Sequence, residues 1–536
     1  MSSTKKLESS ESVTQKELGL DVNSVIHQKC KNEDSSFCSL NEGELKRTFS
    51  VWSILGIGFG LTNSWWGVSA GLVAGIQSGG PMMIVYGVII IACVSSCVGI
   101  TLSEMSSAIP SAGGQYIWTK VLSPKKYSGF LAYLCGSFAW AGAEFMSTSI
   151  TLSIAEEIMA FWVLMHPNFK IQKWHNFLIF QLMNVFLFIF NCHGRFLPAF
   201  AKSAIYVSLF SFIVTGITVV VCAKGHYQPA RSVFAEFNNS TGWSNSGIAF
   251  IMGLINPNWA FGCLDCATHL AEEVYNPARD IPIAILGTVA IGFVTSFCYC
   301  IAMFFSIQNF SEILNSSTGY PLFDIYYQAL NNRAGTICLG FLVFLTAIFC
   351  MISCHTWQAR LCWSFSRDNG FPFSKYLSLI HPMTGVPFNA HIFSCIWVAI
   401  LGCLYMASDA AFNSMVTGSI IFMYLSYAVP TLCLLYRGRD KIKHGPFWMG
   451  KIGFVSNIVT CIWTLFAFVF YSFPSYMPVT GGNMNYVSVV IFIYLIWTLF
   501  YWWVPLKGSS CRDNFAGGKD NNEKGEFSDV CLDDSD

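Results

Sequence analysis

Two apolar stretches of the sequence contain aromatic residues beside polar or acidic ones, a combination that can bind a small cation. The residues concerned are Asn63, Trp65, Trp66 and Gly67 in the first stretch and Trp259, Phe261 and Asp265 in the second. The face of an aromatic ring attracts a cation by about 0.5–2 kcal/mol, depending on desolvation. A carboxylate adds attraction over a longer range. A quaternary ammonium group has no N–H to donate, so its recognition depends on contacts of these kinds.

Trp140 and Glu144 are a third combination of an aromatic residue with an acidic one. They are four residues apart and would share one face of a helix. We predict that they and the seven residues above bind the substrate. For each aromatic residue the alternative is that its ring faces lipid.

Asp265 needs an explanation, because a carboxylate at membrane depth costs about 3 kcal/mol or more unless it faces water or a partner. It could attract a cation, bind a coupling proton, or stay protonated as a hydrogen bond between helices. A zwitterionic substrate would instead place its carboxylate on free amides at a helix N-terminus, which residues 67–71 could supply. The Trp and acid content favours a cation.

The composition places these groups in a membrane protein. Of the 536 residues, 54% are hydrophobic and 11% charged, whereas soluble domains are about a quarter charged. A helix crosses the bilayer with about 20 apolar residues, and counting the apolar runs on that basis predicts about twelve crossings. We predict a membrane domain over 48–506 between disordered cytosolic tails, 1–47 and 507–536. The formal net charge is zero, which implies no attraction to nucleic acid.

The distribution of positive charge predicts the orientation. Most Lys and Arg residues fall in loops that twelve crossings place on the same side as the N-terminus, so both termini are predicted to be cytosolic. N-x-S/T sequons provide a separate test of the orientation, because glycosylation occurs outside. All of them fall in loops predicted to be external: Asn238, Asn239, Asn309 and Asn315.

Two of the predicted crossings, the first and the sixth, do not read as continuous helices. They contain "GIGFGLTNSWWGVSAGLVAG" (56–75) and "INPNWAFGCLDCATHLAEEV" (255–274). Glycine and polar residues at membrane depth are tolerated where the backbone lines a cavity. Breaks five helices apart predict a five-plus-five inverted repeat, with the last two helices extra. The alternative is that glycine-rich helices simply pack closely.

Several stretches resemble a known superfamily. "SEMSSAIPSAGGQYIW" (103–118) and "EEVYNPARDIPIAILG" (272–287) resemble segments of the amino acid–polyamine–organocation (APC) transporters. The stretches around both breaks resemble the fungal amino acid/choline transporter branch. The resemblance implies an all-α, LeuT-like fold with substrate held between broken helices 1 and 6, and uptake at the plasma membrane. Asp265 matches a position where the superfamily often carries an acid, whereas Glu144 matches no family pattern.

Cys263, Cys266 and His269 have a zinc-like C-x2-C-x2-H spacing. On a helix they would spread along a slowly turning face, and a fourth ligand is missing from the pattern. We therefore predict no metal, and a packing or gating role for His269.

Charges near the predicted cytosolic ends receive simpler interpretations. Glu273 is expected to be a solvated helix-end charge, and Glu272 to pair with an internal arginine. Glu104 is expected to cap the loop containing "SAGGQY" (111–116). Arg360 is a candidate for an ion pair at an inner gate.

The resulting prediction is a secondary transporter, without cofactor, that imports choline or a related small organic cation such as ethanolamine by alternating access. A permease for 4-aminobutyrate, another amino acid or a polyamine is the nearest alternative. A non-transporting nutrient sensor is an alternative of another class. An enzyme is not expected, and the P-loop of ATP-driven pumps is missing from the sequence. A coupling proton and the oligomeric state are left open.

Overall fold

The computed structural model describes residues 45–314, 316, 318–504 and 515. Both predicted tails fall almost entirely outside the described residues, as does the sequon residue Asn315. Asn238 and Asn309 are exposed. The Asn309 amide donates to Glu312 at 2.9 Å, and the Asn239 amide donates to the Trp243 carbonyl at 2.7 Å. Glycosylation at these sites stays a prediction.

Within that part of the chain, the backbone forms α-helices and short 3-10 turns, with one isolated β-bridge between Phe49 and Val274. The helices of the first half are α1 Val51–Thr62, α2 Ser64–Ala70, α3 Leu72–Gln77, α4 Gly80–Ala108, α5 Gln115–Leu122, α6 Ser128–Met165, α7 Lys173–Phe188, α8 Leu197–Cys222, α9 Ala230–Phe234, α10 Ser246–Gly253 and α11 Ile255–Ala260. Those of the second half are α12 Pro277–Ser306, α13 Phe310–Leu314, α14 Pro321–Leu330, α15 Arg333–Arg367, α16 Ser374–Leu377, α17 Phe388–Ala407, α18 Asp409–Arg437, α19 Lys451–Phe470 and α20 Val487–Trp503.

Nine helical segments of the described chain are long and apolar enough to cross a membrane. They are α4, α6, α7, α8, α12, α15, α17, α18 and α19, with α7 and α8 each extended by a 3-10 turn. The predicted all-helical, multi-pass membrane protein is therefore confirmed. Helix α20 is apolar but shorter, and two further segments are interrupted.

The first interrupted segment comprises α1, α2 and α3. Asn63 separates α1 from α2 with a left-handed backbone, φ 33° and ψ 58°. Asparagine tolerates this conformation better than most residues, because its short side chain bonds locally. Gly71, at φ −91° and ψ 16°, separates α2 from α3.

The second interrupted segment comprises α10, α11 and a 3-10 turn, Thr268–Glu273. Residues 261–267 between α11 and that turn form no regular helix. Within them Cys263 has φ 61°, an uncommon conformation for a residue with a side chain. Both interruptions thus occur in the stretches that the sequence predicts to be broken.

The interrupted segments satisfy part of each other's backbone. The Thr62 hydroxyl donates to the Gly262 carbonyl at 3.1 Å, and the Asn256 amide donates to the Val68 carbonyl at 3.2 Å. Buried carbonyls without partners are costly in a membrane. The two breaks therefore stabilise each other and must lie side by side.

Gly67 lies where the backbones of the two interrupted segments approach closely, and Gly67→Ala is expected to lower the stability of the protein. A Cβ atom at Gly67 would lie 2.9 Å from the Ala260 Cα, and a backbone atom cannot move aside as a flexible side chain does. Overpacking of this kind costs about 1–3 kcal/mol. Thermal unfolding of the purified protein in detergent measures the effect.

Gly216→Ala on α8 is the matched control. A Cβ atom there meets nothing within 4 Å, so its melting temperature is expected to stay at or slightly above that of the wild type. Equal melting temperatures for the two variants would contradict the close contact.

Candidate substrate site

A small enclosed cavity lies between the two interrupted segments and α6. Its free volume is about 10 Å³, room for about one water molecule. The lining residues are Leu61, Thr62, Trp66, Met146, Ile150, Trp259, Gly262 and Cys263. A solute larger than water can enter this cavity only after these elements separate, so the cavity is closed to such solutes in this conformation.

A second cavity of similar size lies beside the first and reaches α4 and α18. The two cavities share Met146 and Gly262 as walls. Phe261 lines this second cavity, together with Tyr424 and Tyr427 of α18. A displacement of the Met146 side chain would join the two spaces into one.

The aromatic wall of the first cavity consists of Trp66 and Trp259. Their ring centroids are 6.0 Å apart with the planes tilted by 46°. The Trp259 indole N–H donates to the Ser149 hydroxyl at 3.1 Å, which orients the ring from α6. Two indoles at such a spacing can present ring faces to a cation.

Asn63, Trp65 and Gly67 are placed around the break rather than on the cavity wall. The Trp65 indole donates to the Ser208 hydroxyl at 2.9 Å, and that hydroxyl donates to the Asn63 side-chain oxygen at 2.9 Å. The Trp65 ring packs against Tyr299 of α12 at 4.9 Å. These residues hold the first break against α8 and α12.

Trp140 and Glu144 lie on a different side of α6 from the cavity. Trp140 packs against Phe371 at 4.6 Å and against aromatic residues of α17. Glu144 is buried near the Ser394 hydroxyl of α17. Each step of two residues along an α-helix rotates the side-chain direction by about 200° around the axis. Glu144 and Met146 therefore point in nearly opposite directions.

Asp265 is buried, and its carboxylate is fully engaged with protein groups. One oxygen accepts from the Tyr427 hydroxyl at 2.7 Å. The other accepts from the Gln115 amide at 2.7 Å and lies 3.1 Å from His269 Nε2. His269 Nδ1 lies 2.8 Å from the Ala112 carbonyl oxygen. Asp265 thereby joins the second interrupted segment to α5 and α18.

The residues of the zinc-like spacing have separate surroundings. Both ring nitrogens of His269 are engaged as described, whereas Cys263 lines the first cavity. Cys266 is a buried free thiol.

Two ion pairs connect the end of the second interrupted segment to α15. Arg360 binds Glu273 through two nitrogens at 2.9 and 3.3 Å, with both side chains buried. The expectation that Glu273 is solvated is therefore wrong, because Arg360 supplies a buried counter-charge. Glu272 pairs with Arg367 in a more exposed position, as the sequence predicts.

The expected role of Glu104 is also wrong. Its carboxylate accepts from Arg439 at 2.8 and 2.9 Å and from the Met449 N–H at 2.8 Å. It therefore fixes the connection between α18 and α19 rather than capping the loop at 111–116. The sequence does not indicate this partner, because Arg439 lies 335 residues from Glu104 along the chain.

Sequence reasoning assigned α6 to the site through Trp140 and Glu144 but missed the face of α6 that lines the cavity. Met146 and Ile150 line it, and Glu157 continues their stripe at a spacing of seven residues. Residues spaced by four and seven share one helix face, so a helical projection of α6 would have grouped them. The sequence does not reveal which face of α6 meets the breaks.

Comparison with known proteins identifies the class. A family model for amino acid permeases matches residues 49–496, and the chain belongs to that family. The Choline transporter of Saccharomyces cerevisiae is 56% identical over 92% of this chain and 87% of its own length. Swainsonine transporter swnT of Arthroderma benhamiae is 37% identical over 87% of this chain and 92% of its own. The GABA-specific permease of Saccharomyces cerevisiae is 29% identical over 88% of this chain and 84% of its own length. The resemblance to fungal transporters of this superfamily is thus confirmed, and the relatives are transporters rather than enzymes.

Replacement of Glu273 by Gln is expected to destabilise the protein by about 3–5 kcal/mol, since Arg360 would stay charged and buried without a partner. Glu272→Gln is the matched control at the adjacent position. Its pair with Arg367 is about a third exposed, and such pairs contribute about 1 kcal/mol or less. Chemical denaturation of both variants in detergent measures the difference. A larger loss from Glu272→Gln would contradict this ranking.

Proposed function

We propose that this chain is a secondary transporter that imports choline or a related small organic cation such as ethanolamine. The observation that carries the proposal is the Trp66–Trp259 pair on the wall of a cavity between two interrupted helices. The 56% identity to a protein named a choline transporter supports the substrate class. Transport is proposed to proceed by alternating access to this cavity.

The proposed topology has twelve crossings. The nine long segments are nine of these crossings. The two interrupted segments are crossings one and six, and α20 is crossing twelve. That order fits a five-plus-five inverted repeat with two additional helices. The bias of Lys and Arg toward alternate loops supports cytosolic termini. We assign the protein to the plasma membrane, where uptake of an external nutrient takes place.

In this orientation the Asp265 cluster and the Arg360–Glu273 pair lie on the cytosolic side of the cavity. We assign Asp265 a positioning role, because its three hydrogen-bonding partners occupy both oxygens. Release of substrate to the cytosol requires these contacts to loosen. A membrane potential that is negative inside favours entry of a cation by about 2.3 kcal/mol per 100 mV. A coupling proton stays a prediction.

Uptake of labelled choline in cells that lack their own carrier tests the proposal. We expect saturable uptake that excess ethanolamine reduces and 4-aminobutyrate leaves unchanged. Uptake of 4-aminobutyrate without uptake of choline would instead support an amino acid substrate.

Removal of either indole of the aromatic wall is expected to weaken binding. Trp66→Ala or Trp259→Ala should raise the KM for choline by about 2- to 30-fold, corresponding to a loss of about 0.5–2 kcal/mol of cation–π attraction. Uptake kinetics, corrected for the amount of protein at the cell surface, measure the change.

Trp140→Ala is the matched control, because that indole lies on another side of α6. Its KM is expected to equal that of the wild type. A KM increase confined to Trp140→Ala would place the substrate beside α17 instead.

A further inference from the structure

Glu157 is a fully buried acid whose carboxyl group has no compensating partner within the described structure. Both carboxyl oxygens lack a hydrogen-bond partner there, and none of the ion pairs formed by residues 45–504 includes Glu157. An isolated buried carboxylate is strongly unfavourable. A group held in such a position is expected to meet a positive charge during function.

The polar groups around Glu157 are also unsatisfied. The Trp66 indole nitrogen approaches the carboxyl without completing a hydrogen bond, and the Tyr320 hydroxyl, in the connection before α14, has no partner among the described residues either. Burial raises the pKa of Tyr320 well above its ordinary value, and the nearby Glu157 and Glu156 raise it further. The hydroxyl therefore keeps its proton and can donate.

Trp66 connects this acid to the cavity. Its side chain lines the cavity together with Ile150. Glu157 lies seven residues beyond Ile150 on the same face of α6, about 10 Å farther along the helix axis. The cavity has one end that faces the C-terminal end of α6 at Met165, and the Glu157 carboxyl lies beyond that end. The Trp66 indole lies between the carboxyl and the cavity. In the proposed orientation this end faces the outside.

We propose that Glu157, Trp66 and Tyr320 form a subsite for the positively charged group of the substrate at the outer end of the cavity. This inference rests on the proposed transport function and adds the acid that recognises the charge. The carboxylate supplies charge attraction, the indole supplies a ring face, and neither requires an N–H on the ligand. The subsite therefore suits a quaternary ammonium group as well as a primary amine.

The other buried acids near the cavity are poorer candidates for this role. Both oxygens of Asp265 are occupied by protein donors. Both oxygens of Glu144 also lack a hydrogen-bond partner among the described residues, but this carboxyl lies near Ser394 on the side of α6 opposite Met146 and the cavity. Glu156, adjacent to Glu157, is only partly buried and occupies another face of α6.

Binding of choline and of dimethylbutanol to the purified full-length protein tests the charge requirement. Dimethylbutanol is the uncharged carbon isostere of choline, so the ratio of their dissociation constants reports recognition of charge alone. We expect the wild type to prefer choline and Glu157→Gln to reduce that preference by about tenfold or more. Glu156→Gln is the matched control and should keep the wild-type ratio.

The melting temperature without ligand separates this role from a structural one. Because Glu157 has no internal partner, ligand-free Glu157→Gln is expected to melt at or above the wild-type temperature. At one choline concentration, the rise in melting temperature should be similar for the wild type and Glu156→Gln and smaller for Glu157→Gln. A strong destabilisation of ligand-free Glu157→Gln would reveal an internal partner and overturn the inference.

The outcomes for the two proposals are distinct. If the wild type binds choline and Glu157→Gln keeps the wild-type ratio, the assignment of Glu157 is wrong while the transport proposal stands. If the wild type binds neither choline nor ethanolamine, the transport proposal and the assignment of Glu157 are both wrong. If Glu156→Gln loses the preference and Glu157→Gln keeps it, the charge is recognised by the neighbouring acid and the inference fails.

Discussion

The organisation of this protein depends on the need to satisfy backbone polar groups where two helices break inside the membrane. An uninterrupted helix bonds its own carbonyls, but a broken one exposes several of them in a medium without water. The Thr62 hydroxyl and the Asn256 amide each bond a carbonyl of the other interrupted segment. Because each break supplies partners for the other, the breaks lie together, and the cavity between them follows from that pairing.

The buried acids differ in whether protein groups compensate their charge: among the described residues, both carboxyl oxygens of Glu144 and of Glu157 lack a hydrogen-bond partner. Asp265 accepts three hydrogen bonds, and Glu273 and Glu104 each bind an arginine. These groups hold loops and helix ends in place. Glu157 lacks such compensation within the described structure, and its carboxyl lies beside an indole of the cavity wall. A fully paired acid has no free capacity for a ligand, so Glu157 is the better candidate for the proposed recognition of a cation.

The closed cavity relates the fold to its proposed transport cycle. At one end Asp265 and Glu273 tie the second interrupted segment to α5, α18 and α15. At the other end the connection carrying Tyr320 packs on α6 through Phe323, whose ring contacts Tyr320 at 5.4 Å and Phe161 of α6 at 4.8 Å. In the proposed cycle, access from one side would require only the contacts at that end to open. Short, polar contacts of this type can break and re-form, whereas the long helices around them are held by extensive apolar burial.

Apolar runs, charge distribution and interrupted stretches are local properties, so the sequence by itself determined the membrane class and the positions of both breaks, and it selected Trp66 and Trp259, which both line the cavity. It also suggested that Arg360 forms an ion pair. Only the tertiary structure decided which face of α6 meets the breaks, and hence that Ile150 and Glu157, rather than Trp140 and Glu144, lie toward the cavity side. Likewise, the partners of Asp265 at Gln115 and Tyr427 are 150 and 162 residues away in the chain. Helical periodicity shows which residues share a face of a helix, but it does not show what that face contacts. Packing between segments that are distant in the chain decides those contacts.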